Sequence, residues 1–206
     1  MAKPVEVKEK AAEICERFEL GAEARKLLRP GLSAKEFLKL LDAHQLFGDA
    51  IRFVAYALPS REAIWWGSLC AWSMYRPKPP DKIAPALNAV VAWVQEPSEE
   101  TRRAAEAVME EAGMDTPAGG LAAAVFFTGD NIAPAKPKQP EVKPKPFLWS
   151  KILAGAVGSA AKLAPADKKK QRERQFLILA TDVADGRTHW EPRTAQGERI
   201  VRPRRH

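Results

Sequence analysis

Between Arg61 and Tyr75 the chain offers a helix with almost no polar face. Ile64, Trp65, Trp66, Leu69, Cys70, Ala71, Trp72, Met74 and Tyr75 fall on every side of a 3.6-residue repeat. A helix that is apolar all round is stable only when other elements enclose it, so this segment predicts the centre of a multi-helix bundle. Its ends are sharply marked. Pro59-Ser60 precede it, and Arg76-Pro77-Lys78-Pro79-Pro80 cannot remain helical, since proline lacks the amide donor and restricts the residue before it.

The flanking sequence supplies the enclosing helices. Val7, Ala11, Ile14, Cys15 and Phe18 recur at three- and four-residue spacing and predict a first helix over 5–20, closed by Gly21. A short helix over 22–28 ends at Arg29-Pro30-Gly31. Ser33 and Glu36 stand at capping-box spacing ahead of Phe37, Leu38, Leu40 and Leu41. A fourth helix is predicted over 46–58 and a sixth from Asp81, where Pro85 falls early enough to be tolerated. Pro97-Ser98 opens a seventh that Gly113 ends. Asp115-Thr116-Pro117 opens an eighth through Leu121, Val125, Phe126 and Phe127, closing at Thr128-Gly129-Asp130-Asn131. The short loops favour antiparallel neighbours. The fold expected is all-α, an irregular multi-helix bundle, helical-repeat-like at most.

Beyond residue 132 the composition changes. Pro134, Pro137, Pro140 and Pro144 alternate with lysines, which describes an extended Pro/Lys-rich connector over 133–146. A small-residue helix over 147–163 and a second helix over 168–183 follow, ending at Asp185-Gly186. The organisation expected is a helical body over 5–132, the connector, a helical pair over 147–186 belonging to the same domain, and a basic, partly disordered tail over 187–206. Charge divides along the same line. Residues 1–132 hold 16 Lys and Arg against 19 Asp and Glu, whereas residues 133–206 hold 17 against 7. The chain's net charge of +7 therefore belongs wholly to its C-terminal third.

Residues that carry chemistry are sparse. Cys15 and Cys70 lie far apart in apolar helical patterns, which suits small buried hydrophobes in a reducing compartment. The start of the chain is charged and lacks the pattern of a secretory leader, so a soluble, cytoplasmic protein is expected. His44, His189 and His206 are the only histidines, and none has a partner at ligand spacing. No glycine-rich phosphate loop is present, and neither a metal nor a cofactor is expected. Asp130, Asn131 and His189 would suggest an enzyme only if a fold gathered them in a deep pocket. Six tryptophans against two tyrosines point to a Trp-rich core or interface. Arg61, Trp65 and Trp66 could form a partner-binding hot spot, because arginine and tryptophan dominate such sites, or they could simply pack. Lys168, Lys169, Lys170, Arg172 and Arg174 form a basic patch; Arg202, Arg204 and Arg205, with Arg193 and Arg199, form another. Such clustering suits nucleic acid or an acidic protein surface, but aromatic residues are not interleaved with it.

A resemblance runs through these features. Leu58-Pro59-Ser60-Arg61-Glu62-Ala63-Ile64-Trp65-Trp66, the segment from Val125 to Pro134, Ala154-Gly155-Ala156-Val157, and Phe176 through Arg187 with Trp190 together resemble an uncharacterised bacterial family, a domain of unknown function with an L-P-x-R-E-A-x-W-W motif. The resemblance covers roughly residues 20–192. It implies that the closing helical pair packs back on the body, and that related genes accompany contractile type VI secretion clusters. It supplies no catalytic residues. The function expected is that of a non-enzymatic adaptor, chaperone or scaffold acting through protein–protein contacts without membrane insertion. A nucleic-acid-binding accessory protein is the alternative.

Overall fold

The computed structural model describes residues 3–134 and 140–190. Ten α-helices follow one another there: α1 (Ala11–Cys15), α2 (Ala22–Leu27), α3 (Ala34–Ala43), α4 (Phe47–Ala57), α5 (Ser60–Met74), α6 (Ala84–Gln95), α7 (Glu99–Ala112), α8 (Pro117–Phe126), α9 (Leu148–Lys162) and α10 (Lys169–Ala184). A single 3-10 turn, Ala166–Lys168, leads into α10, and no strand occurs among the described residues. The fold is an all-α, irregular bundle.

Helix α5 takes the place its composition demands. Ala63 through Ala71 are buried without interruption, and α6, α8, α9 and α10 pack around them. The bundle grades outward from there. α4 lies against α9 and α10 and carries α1 and α3 on its outer side, while α7 closes the opposite flank against α6 and α8. The closing pair, α9 and α10, packs back on the body within the same chain. Close approach in the middle depends on missing side chains. A Cβ at Gly67 would sit 2.6 Å from both Leu121 and Leu153, and one at Gly120 would sit 2.9 Å from Cβ of Ala156. Gly119-Gly120, readable in the sequence as a loop or as close packing, lies inside a fully buried α8.

Several helix ends follow their capping residues. The Glu36 amide donates to Ser33 Oγ at 3.3 Å, and the Ser33 amide donates to the Glu36 carboxylate at 2.9 Å. Ser98 begins α7 and Thr116 begins α8 in the same manner, their hydroxyls accepting from the amides of Thr101 and Gly119. Gly113, at φ +83, ends α7 in the left-handed region that glycine enters without steric cost.

The first helix is much shorter than its periodicity predicts. The Lys10 amide donates to Glu13, which starts α1 there, and Lys10 also bridges to Ser33. Upstream the chain is extended. The Val5 amide donates to the Ala184 carbonyl at 2.8 Å, capping the end of α10. A long-range partner thus satisfies a donor that the first turn of the predicted helix would have left free.

Candidate functional site

Arg61 stands one residue into α5 and faces the end of α6. Its Nε donates to the Val94 carbonyl at 2.7 Å and its Nη2 to the Gln95 carbonyl at 2.9 Å. Those carbonyls belong to the negative end of a helix whose last turn has no basic residue of its own, so Arg61 supplies the missing cation. Its guanidinium also lies 4.3 Å from the ring centre of Trp190. Trp66 is fully buried, and its indole N–H donates to the Phe176 carbonyl at 2.8 Å, tying α5 to α10. Trp65 is 2% exposed, meets Trp190 edge to face at 6.4 Å, and has no partner for its indole N–H. Both tryptophans sit in the core. Neither presents a surface to a partner in this fold, because the apolar area that made them candidates is spent inside.

The residue that completes this cluster was assigned by sequence to the loose tail. Trp190 is only 6% exposed, and Arg187 is anchored ahead of it by Asp182 and Asp185. Lack of periodicity hides such an anchor. The available signal was a lone tryptophan in a polar stretch just after a helix-ending glycine. His189 stacks on Trp190 at 3.8 Å, and burial, followed by the charge of Arg61, holds its pKa below the ordinary histidine value.

A second cationic cluster organises the turn after α8. Arg102 is 4% exposed and makes four hydrogen bonds, two to Glu99 at 2.6 and 2.7 Å, one to the Phe126 carbonyl at 2.7 Å and one to the Asn131 carbonyl at 2.9 Å. Arg103 joins Glu99, Glu106 and the Ala133 carbonyl. A Cβ at Gly129 would come within 2.5 Å of Arg102 Nε. The Asn131 side chain accepts from the amides of Ala133 and Val142, which pins the described end of the connector to this turn. The Arg102 hydrogen bonds are the main cause that lowers the Glu99 pKa. Asn131 and His189 have different neighbours, so the enzyme-like trio is not assembled by these contacts.

The basic segment after α9 is built differently. From Lys162 to Gln175 no residue is buried. This turn carries Lys162, Lys168, Lys169, Lys170, Arg172 and Arg174 against Asp167 and Glu173. Lys169 pairs with Glu173 at 3.7 Å and Arg174 with Asp42 at 3.3 Å. The first turn of α10 has no acidic residue, so its cations crowd the positive end of the helix dipole. Leu163, 51% exposed, stands beside them. The second basic cluster, Arg193, Arg199, Arg202, Arg204 and Arg205, lies outside the described residues.

The remaining features are structural. Cys15 and Cys70 are buried and free; burial, with Asp49 adding to it, raises Cys15 to about 11 and drives Cys70 well above its ordinary value. A shallow depression of about 470 Å³ at Glu19, Leu20, Gly21, Ala22, Arg25 and Arg52 has both arginines engaged, Arg25 with the Leu20 carbonyl and Arg52 with Asp49. Among the described residues no group of His, Cys, Asp and Glu is placed to hold a metal, and no helix is long and apolar enough to cross a membrane.

Comparison with known families bears out the resemblance to a family of unknown function. The chain belongs to DUF6931, a family of unknown function whose model matches residues 37–184. The matched span runs from α3 to the end of α10. It includes Arg61, both core tryptophans, the Arg102 turn and the basic segment, and stops short of Trp190. No curated protein and no solved structure matches the chain.

Proposed function

We propose that this protein is a non-enzymatic helical adaptor, chaperone or scaffold that docks an acidic protein surface on the basic turn 162–174. One observation carries the reading. Six cations are gathered on a segment without a buried residue, and three of them, Lys168, Lys169 and Lys170, stand at the start of a helix whose dipole disfavours them. Two of the six are paired, Lys169 with Glu173 and Arg174 with Asp42, and places where a local rule is broken with little structural return are where function is to be sought. A cytoplasmic location and an association with a contractile secretion apparatus belong to the same proposal and rest on the sequence reading.

Nucleic acid is the second reading, favoured by the same cations. It is the weaker one because the turn contains no aromatic side chain on which a base could stack. The test uses the native chain and a Lys168→Glu, Lys169→Glu, Lys170→Glu variant, each as bait for affinity purification and each titrated with mixed-sequence DNA at low salt. Salt-sensitive recovery of an acidic protein by the native chain, lost in the variant, supports docking. Salt-sensitive DNA binding without such recovery supports the second reading.

A further inference from the structure

The chain carries a surface that complements its own basic turn. At the end of α7, Glu110, Glu111 and Asp115 are exposed around Met114, which is 52% exposed. The last turn of α7 contains no basic residue, so Glu110 and Glu111 crowd the negative end of a helix dipole, with Asp115 following in the turn to α8. They differ from Glu99 and Glu106 in the first part of the same helix, which are consumed by Arg102 and Arg103. Among the described residues no ion pair engages Glu110, Glu111 or Asp115.

The two surfaces therefore match in three respects. Their charges are opposite. On each, charges stand at a helix end that disfavours them, Lys168, Lys169 and Lys170 at the start of α10 and Glu110 and Glu111 at the end of α7, so an opposite charge brought from outside relieves both. Each is centred on one large exposed apolar residue, Met114 in one and Leu163 in the other, with charges around it, which is the anatomy of a small protein contact. Phe147, another exposed hydrophobic, is already covered in part by Arg17 and Tyr56.

We infer that the acidic end of α7 in one copy of this chain docks on the basic turn 162–174 of a second copy, Met114 meeting Leu163 at the centre. The inference rests on the docking role proposed for that turn and names its occupant. Coulomb attraction between exposed charges is screened beyond about 10 Å at 0.1 M salt, so the contact is a weak, salt-governed self-association.

Sedimentation velocity of the full chain is the test. At about 50 mM salt the native protein self-associates with concentration, and the association weakens at least about tenfold by about 300 mM. The variant Lys168→Glu, Lys169→Glu, Lys170→Glu and the variant Glu110→Lys, Glu111→Lys, Asp115→Lys each sediment as monomers. Mixed together they associate again, because each now offers the other two complementary pairs of surfaces. Met114→Ala and Leu163→Ala, which leave net charge alone, weaken the native association several-fold.

A native chain that stays monomeric at low salt overturns the inference, as does α7 charge reversal that leaves association intact. A mixture that stays monomeric while both variants keep native circular dichroism also overturns it. If the native chain is monomeric yet still recovers an acidic protein through the basic turn, the self-contact falls and the adaptor reading stands. If both fail, the adaptor reading falls with it.

Discussion

Two cation-rich regions of this molecule use the same chemistry for opposite ends. At Arg102 and Arg103, the guanidinium hydrogen bonds close on carboxylates and backbone carbonyls, both groups lie over the Phe126 ring, and the cluster locks the turn from Phe126 to Ala133 against the start of α7. At 162–174, six cations stand on a segment that buries nothing, and two of them find a partner. Arginine predominates in the first region and lysine in the second. The planar fork of arginine suits several fixed acceptors at once, whereas lysine is a mobile, hydrated point charge. A charge invested in the fold is paired and enclosed; a charge left in water is open to the partner proposed for it.

Breaking the first region produces the largest effect. Arg102→Ala leaves the Phe126 carbonyl without its partner and the Asn131 carbonyl with Arg103 at 3.3 Å, and is expected to cost about 2–4 kcal/mol in urea unfolding. Arg102→Lys recovers less than half, because one ammonium cannot reach the acceptors that the fork spans. An unchanged unfolding midpoint for Arg102→Ala would place this cluster with the solvated charges and dissolve the contrast.

Trp190→Ala extends the comparison to Arg61, the other arginine enclosed by its contacts. The change removes the ring beside the guanidinium and the edge contact with Trp65, and is expected to cost about 1–3 kcal/mol. Hydrogen exchange localises the loss: amides at the start of α5 and the end of α6 lose protection, while those of α7 do not. Uniform loss across the bundle would contradict a local anchor.

The smallest effect is electrostatic. His189 has a depressed pKa, so it is neutral in the fold while still able to charge in the unfolded chain. Stability is therefore full above about pH 6.5 and declines as pH falls from there through the lower folded value, since the unfolded state takes up its proton first. His189→Gln flattens that limb in a Tm-versus-pH series. A limb that persists unchanged assigns it to another group.

Much of the framework was legible because its causes are local. The apolar circumference of α5, the Ser33–Glu36 box and the Pro/Gly punctuation between helices each act within a few residues, and each appears where the pattern places it. What was hidden depends on distant parts of the chain. The non-helical start at Val5 is fixed by Ala184, the burial of Trp190 by Arg61 and Trp65, and the Thr128–Asn131 turn by Arg102. Periodicity carries no record of such pairings. The motif around Trp65 and Trp66 illustrates the difference: residue type suggested packing or an interface, and only the positions of Phe176 and Trp190 show that the rings lie in the core.

The central claim is that the lysines of the basic turn serve a partner at no benefit to the fold, and it is tested most directly by urea unfolding of the Lys168→Glu, Lys169→Glu, Lys170→Glu chain beside the native one. Reversing cations at the positive end of α10 replaces repulsion with attraction but loses the Lys169–Glu173 pair and sets a like charge four residues ahead of Glu173, so the variant is expected to match the native stability to within about 0.5 kcal/mol. A loss of more than about 1 kcal/mol would show that these lysines hold the fold together, and would contradict the claim.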